Sequence, residues 1–69
     1  MDGVDSSEAG QIARQHAEKM GFKEVKVIVV ENKLFAGQFY FQVIVRADGG
    51  LYQLRVYESG TTLGWKPIE

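Results

Sequence analysis

The chain has 69 residues, 45% of them hydrophobic and 12% aromatic, which suits one folded domain and lies above the range of disordered chains. It has no cysteine, which excludes disulfides and cysteine-based zinc sites and favours a reducing, cytoplasmic location. Eight basic and nine acidic residues give a net charge of −1, so no overall field attracts a polyanion and no nucleic-acid partner is expected.

The first element in chain order is a helix predicted at about residues 7–20. Small and apolar residues recur there with helical spacing, Ser6 or Ser7 can cap the start, and Gly21 ends the pattern. The preceding residues, 1–6, are small and acidic and show no periodicity. They are expected to form a flexible arm.

From Lys23 onward the pattern alternates with a period of two, which predicts antiparallel strands. Further strands are predicted at about residues 38–47 and 51–58, joined by a turn at Asp48-Gly49-Gly50, with a short edge strand at 62–67. The longest apolar run in the chain is four residues, far too short to cross a bilayer, so no membrane partner is expected.

These elements predict an α+β fold in which one N-terminal helix packs on a three- to four-stranded antiparallel meander, as a single domain over residues 1–69. A helix of this length covers only one side of such a sheet. The side richer in apolar residues should lie beneath it. That side is predicted to comprise Val25, Val27, Val29, Phe39, Phe41, Val43, Val45, Leu54 and Val56.

The opposite side of the predicted sheet is left over and still carries many apolar residues. Contiguous apolar surface on a small protein commonly marks an interface, and tyrosine with arginine is a common interface mixture. We expect this side to form a homodimer or bind a protein partner, unless the C-terminal residues Leu63, Trp65 and Ile68 fold back over it. The candidate interface residues are Ile28, Val30, Tyr40, Ile44 and Tyr57.

No pattern typical of catalysis or metal binding is visible in the sequence. The single histidine, His16, falls on the apolar side of the helix, which favours packing against the sheet over a role as general base. No His-x-x-x-His or paired carboxylate spacing occurs on a shared face. Gly49-Gly50 is explained by hairpin chemistry rather than by phosphate binding. We expect no catalytic residues, metal or cofactor, and therefore not an enzyme.

The turn between the first two strands is apolar, KLFAG at residues 33–37, and Tyr40-Phe41 follows it. Together with LRVYES at residues 54–59, this stretch resembles the cysteine-free, stefin-type cystatins over roughly residues 22–65. In that family a helix is wrapped by an antiparallel sheet, and the first hairpin carries a Gln-x-Val-x-Gly motif. Here Lys33 and Phe35 stand where the family has glutamine and valine.

The cystatin resemblance implies an inhibitor of papain-type cysteine proteases that inserts a wedge of three parts into the protease cleft. The parts would be an N-terminal arm, the first hairpin, and the turn at residues 59–61 with Trp65 beyond it, all at one end of the sheet. The alternative for the apolar turn is a tip folded back on the helix to seal the core. The residues implied in protein binding are Gly3, Val4, Leu34, Phe35, Ala36, Gly37 and Trp65.

A second resemblance is to PepSY-like domains, which also combine a helix with an antiparallel meander, a central Asp-Gly turn and a closing glycine. It implies a module that accompanies peptidases or sits at cell surfaces, or a structural module without an assigned role. The matching residues are Ser7-Glu8-Ala9, Ile12-Ala13, Ala47-Asp48-Gly49, Tyr52 and Gly60.

Overall fold

A computed structural model describes residues 4–68, in which one α-helix precedes four β-strands. Each strand pairs antiparallel with the next, so the sheet order follows the chain order. The predicted α+β fold, one N-terminal helix on an antiparallel meander, is confirmed. The elements are α1 (Ser6–Lys19), β1 (Val25–Phe35), β2 (Gln38–Ala47), β3 (Gly50–Tyr57) and β4 (Thr62–Ile68).

The N-terminus of α1 is fixed by a capping box. The Asp5 carboxylate accepts a hydrogen bond from the Glu8 backbone N–H at 2.8 Å, and the Glu8 carboxylate accepts one from the Asp5 N–H at 3.4 Å. Val4, just before this cap, packs against the core. The predicted arm is therefore wrong for residues 4–6, because the cap and the Val4 contact tie them to the domain. Residues 1–3, including Gly3, lie outside the described part of the chain.

Small side chains on the inner face of α1 let the helix lie close to the sheet. Ala9, Gly10, Ala13 and Ala17 are buried, and a Cβ atom built on Gly10 would lie 3.6 Å from Cγ1 of Val27. Beneath the helix lie the buried residues of the two central strands. They are Phe41, Val43, Val45, Ala47, Leu54 and Val56.

An inserted residue in β1 changes which of its side chains face the helix. Val27 pairs with Val45, but the next pair joins Val29 to Ile44, so β1 has one residue more than β2 over this stretch. Beyond the irregularity Val30 packs against the core and Val29 is exposed. The assignment of Val30 to the uncovered side and Val29 to the core is wrong, because counting by twos does not anticipate an extra residue.

The C-terminal residues form the edge strand β4 and do not fold back over the uncovered side. Trp65 lies on the helix side, where its ring stacks on Tyr52 with centroids 4.8 Å apart and lies 5.7 Å from Phe22. These rings close the core where α1 ends and β1 begins. Within residues 4–68, the sheet therefore has one side covered by α1 and one side without a covering element.

Candidate functional site

The antiparallel strand order determines which turns lie at the same end of the sheet. Because each strand reverses direction, the β1–β2 and β3–β4 turns lie at one end of the sheet, and the Asp48-Gly49 turn lies at the other. Two of the three parts of the predicted wedge therefore share one end. Of the proposed arm, Val4 packs against the core, and Trp65 is likewise half-buried against it, so these two side chains are not displayed as free contacts.

The tip of the β1–β2 hairpin, residues 34–39, protrudes from the sheet and is apolar. Pairing between β2 and β3 starts at Tyr40, so the tip extends past β3. The side chains of Leu34, Phe35 and Phe39 are 61%, 71% and 51% exposed. The alternative of a tip folded back to seal the core is therefore wrong. Phe39 lies on the same side of the sheet as the buried Phe41, but it stands past the part of that side that is buried.

The turn at the tip is tight and strained. Phe35 pairs with Gln38, and the two residues between them, Ala36 and Gly37, both have positive φ, +54° and +77°. A two-residue hairpin turn of this form prefers asparagine or aspartate followed by glycine. Alanine in the left-handed region costs about 1–2 kcal/mol. The pairing of β1 with β2 holds Ala36 in this conformation and so fixes the positions of Leu34 and Phe35.

The second candidate surface is the uncovered side of the sheet, here called the open face. Residues paired across neighbouring strands share a side, so its members follow from the register, except that Ile28, unpaired at the bulge, is placed here by its exposure and that the tip residues are counted separately. Four of the predicted interface residues lie on it, and Val30 does not. The open face comprises Lys26, Ile28, Val29, Glu31, Lys33, Tyr40, Gln42, Ile44, Arg46, Leu51, Gln53, Arg55, Tyr57, Leu63, Lys66 and Ile68.

Side-chain contacts order the middle of the open face. The Tyr40 and Tyr57 rings lie 5.5 Å apart, and the guanidinium carbon of Arg55 lies 5.4 Å from the centre of the Tyr40 ring. Beside them, Nε2 of Gln42 donates a hydrogen bond to Oε1 of Gln53 at 3.2 Å. These contacts link β2 and β3 on a surface that no other described element covers.

Basic side chains are concentrated on the open face. It holds five of the eight lysine and arginine residues, namely Lys26, Lys33, Arg46, Arg55 and Lys66. Among residues 4–68 it holds one acidic residue, Glu31, whose carboxylate lies 3.5 Å from Nζ of Lys33. The alternation of the strands predicts arginine on this side, but the concentration of positive charge was not predicted, because the basic residues are far apart along the chain. The signal that reveals it is the alternation of side chains combined with the positions of the turns.

An open groove of about 480 Å³ adjoins one end of the open face, at the start of β1. It brings Lys26 and Arg46, which pair directly across β1 and β2, next to two further basic residues and one acidic residue. Basic side chains therefore continue around the β1 edge, where Arg14 is also paired with Glu18 at 3.3 Å. The groove is lined by Arg14, Lys23, Glu24, Val25, Lys26, Arg46 and Gly49.

Asp48 anchors the turn beside this groove. Its carboxylate accepts hydrogen bonds from the backbone N–H groups of Glu24 at 2.7 Å and Lys23 at 3.1 Å, and its own N–H donates to the Glu24 carbonyl. These hydrogen bonds, with the Lys23 charge as a smaller contribution, hold the pKa of Asp48 below its usual range. The β2–β3 turn is thereby fixed to the segment that leads into β1.

His16 has the surroundings of a packed residue. It is half-buried, its ring lies 5.4 Å from Trp65, and Nδ1 lies 3.5 Å from Oγ1 of Thr62. A hydrogen bond at that distance is weak. Within the part of the chain that the structure describes, no three histidine, aspartate or glutamate residues converge to hold a metal ion.

No protein-family model, curated protein or solved structure matches this chain. The resemblances to cystatins and to PepSY-like domains therefore stay predictions. Among residues 4–68, no helix is both long enough and apolar enough to cross a membrane.

Proposed function

We propose that this chain is a small non-catalytic binding protein that contacts a protein partner through the tip of its β1–β2 hairpin. The exposure of Leu34, Phe35 and Phe39 supports this proposal. Burying one such side chain contributes about 1.5–3 kcal/mol, and clustered aromatic and aliphatic anchors are typical of binding hot spots. The strained turn favours the same role, because a tip already ordered in the free protein loses less entropy on binding.

The specific form that we propose is inhibition of a papain-type cysteine protease, which the resemblance to stefin-type cystatins suggests. The β3–β4 turn at Ser59-Gly60 lies at the same end of the sheet as the tip and would flank it in a protease cleft. Since Val4 and Trp65 pack against the core, the proposed contact uses the two hairpins and does not depend on those side chains.

Titration of papain activity with the purified chain tests the inhibitor form. We expect activity to fall in proportion to added protein and Leu34→Asp to abolish the effect without changing the thermal midpoint, because Leu34 is exposed. The matched control is Ile28→Asp, which alters an exposed apolar residue on the open face and should leave inhibition intact. Full papain activity in the presence of excess wild-type protein would contradict inhibition of papain itself.

A photo-crosslinker placed at Phe35 tests the wider proposal of partner binding. Position 35 is expected to yield a discrete adduct in cell extract, and position 11, on the exposed side of α1, should not. Equal labelling from both positions would contradict a binding role for the tip.

A further inference from the structure

The open face carries an aliphatic patch on β1 and β2 with basic side chains around it. Ile28, Val29 and Ile44 lie together on β1 and β2, and Ile28 is 45% exposed. Basic residues stand on both edge strands, Lys26 and Lys33 on β1 and Lys66 on β4, with Arg46 and Arg55 between them. Exposed apolar surface of this kind commonly marks a binding site, and the charge around it restricts which partner fits.

We propose that the open face is a docking surface for an acidic amphipathic helix of a partner protein. This inference concerns a surface other than the hairpin tip and does not depend on protease inhibition. α1, of 14 residues, already packs on the other side of this sheet, and a helix on the open face would give the sheet a helical layer on each side. A partner helix would place its apolar stripe on Ile28, Ile44 and Tyr57, with acidic residues beside the stripe near the basic side chains.

Charge argues against a second copy of the chain as the occupant. A face-to-face dimer would bring together two surfaces that each carry five basic residues and one acidic residue, and like charges in contact disfavour association. The outer side of α1 does not supply an acidic apolar stripe either, because its apolar residues are turned toward its own sheet.

The aromatic residues argue against single-stranded nucleic acid. Such ligands bind by stacking bases on exposed aromatic rings. Here the Tyr40 ring is covered by Arg55 and lies tilted at 37° against Tyr57, and the exposed patch beside them on β1 is aliphatic. Leucine-rich helices match an aliphatic surface better than stacked bases do.

The groove at the start of β1 extends the proposed site. Arg14 and Lys23 join Lys26 and Arg46 there, while Glu24 lines the same groove, Glu18 pairs with Arg14 and the Asp48 carboxylate lies beside Lys23. A partner helix lying across the face would present its acidic end to this groove. Positive charge beyond the sheet is therefore expected to strengthen binding and to make it sensitive to salt.

The proposal is tested with a fluorescent amphipathic peptide of about 18 residues, which has leucines along one face and glutamates beside them. Fluorescence anisotropy should show binding at about 50 mM salt that weakens at least about tenfold at about 300 mM salt. The same peptide with lysine in place of glutamate should bind at least about tenfold more weakly. Backbone amide shifts in NMR spectra should change on β2 and β3, near Ile44 and Gln53, and not along α1.

Charge-reversal variants on and off the open face test whether the peptide binds there. Arg55→Glu should weaken the acidic peptide about tenfold, and Arg55→Gln should weaken it less. Lys19→Glu changes the net charge by the same amount as Arg55→Glu but lies on α1, and it should leave the affinity within about twofold. Arg55 and Lys19 are both exposed, and unchanged circular dichroism would confirm that the variants fold.

Several results would overturn the inference. Absence of binding, equal binding of the two peptides, or tighter binding of an oligothymidylate of about 20 nucleotides would each contradict an acidic helix as the occupant. Light scattering that shows a dimer, lost in Tyr40→Lys, would assign the face to a second copy instead. Since none of these measurements involves the hairpin tip, their failure leaves the proposal about the tip to be judged by its own experiments.

Discussion

At the residue scale, Ala36 carries backbone strain that another side chain would relieve. Its φ of +54° lies in the left-handed region, where asparagine is far better tolerated than alanine. We expect Ala36→Asn to raise the free energy of unfolding by about 1 kcal/mol, measured by urea denaturation. Leu34 and Phe35 should keep their positions, so any activity of the tip should survive. Destabilisation by Ala36→Asn would show that the turn is not held as described.

Asp48 links stability to pH. Because the pKa of its carboxylate is lowered in the folded protein, the hydrogen bonds to Lys23 and Glu24 stabilise the fold above the ordinary aspartate pKa of 3.8 and stop doing so as pH falls through the lowered value. Asp48→Asn keeps a residue that tolerates the φ of +49° but removes the charge. We expect a lower thermal midpoint than wild type at pH 7, with the difference shrinking in acid. A difference that does not depend on pH would contradict this.

The limits of sequence reasoning at this scale are visible in single residues. The packing of His16 follows from its place on the apolar helix face and was predicted. Trp65 was assigned to the wedge, and instead it packs against the core. The packing of Val30 against the core and the exposure of Val29 were not predicted. Both residues are valines, and nothing in the sequence indicates that an extra residue is inserted in β1 between Val27 and Val29. The cap at Asp5 was assigned to the serines because both residue types cap helices.

At the scale of elements, α1 tolerates additional volume at one glycine. A Cβ atom on Gly10 would meet Val27 and Val30 at 3.6–3.8 Å, which is ordinary contact, and alanine is the better helix former. We expect Gly10→Ala to raise the free energy of unfolding by about 1 kcal/mol, measured by urea denaturation.

Gly50 provides the matched control for Gly10. A Cβ atom there would lie 3.2 Å from the Tyr52 ring, which is held between Trp65 and Phe22, so Gly50→Ala should destabilise the protein by about 1 kcal/mol or more. Stabilisation by both alanine variants would show that Gly50 has room for a methyl group, and destabilisation by both would show that Gly10 has none.

Turn residues explain why the order of the elements could be predicted. How far each strand extends beyond its neighbours could not be predicted. Asp48-Gly49 and the period-two patterns place the strands, and their boundaries agree within one or two residues at most ends. The sequence does not reveal where the covered part of the sheet stops. Phe39 alternates as a core residue should, yet it stands on the part of the hairpin that continues past β3.

At the scale of the whole molecule, the distribution of charge matters more than its sum. The net charge of −1 suggests a surface without a preferred sign, but the fold places five basic residues on one side of the sheet. The Debye length is about 8 Å at physiological ionic strength. The molecule measures 33 × 25 × 17 Å, so a charged surface that approaches the open face senses mainly that face.

This separation of charge predicts chromatographic behaviour that net charge does not. At pH 7 and low salt, we expect the protein to be retained on a cation exchanger despite its net charge of −1. Arg55→Glu and Lys19→Glu change the net charge equally, but only Arg55 lies on the open face, so Arg55→Glu should elute at a clearly lower salt concentration than Lys19→Glu. Identical elution of the two variants would mean that the resin responds to total charge, and the open face would then have no field of its own with which to select an acidic partner.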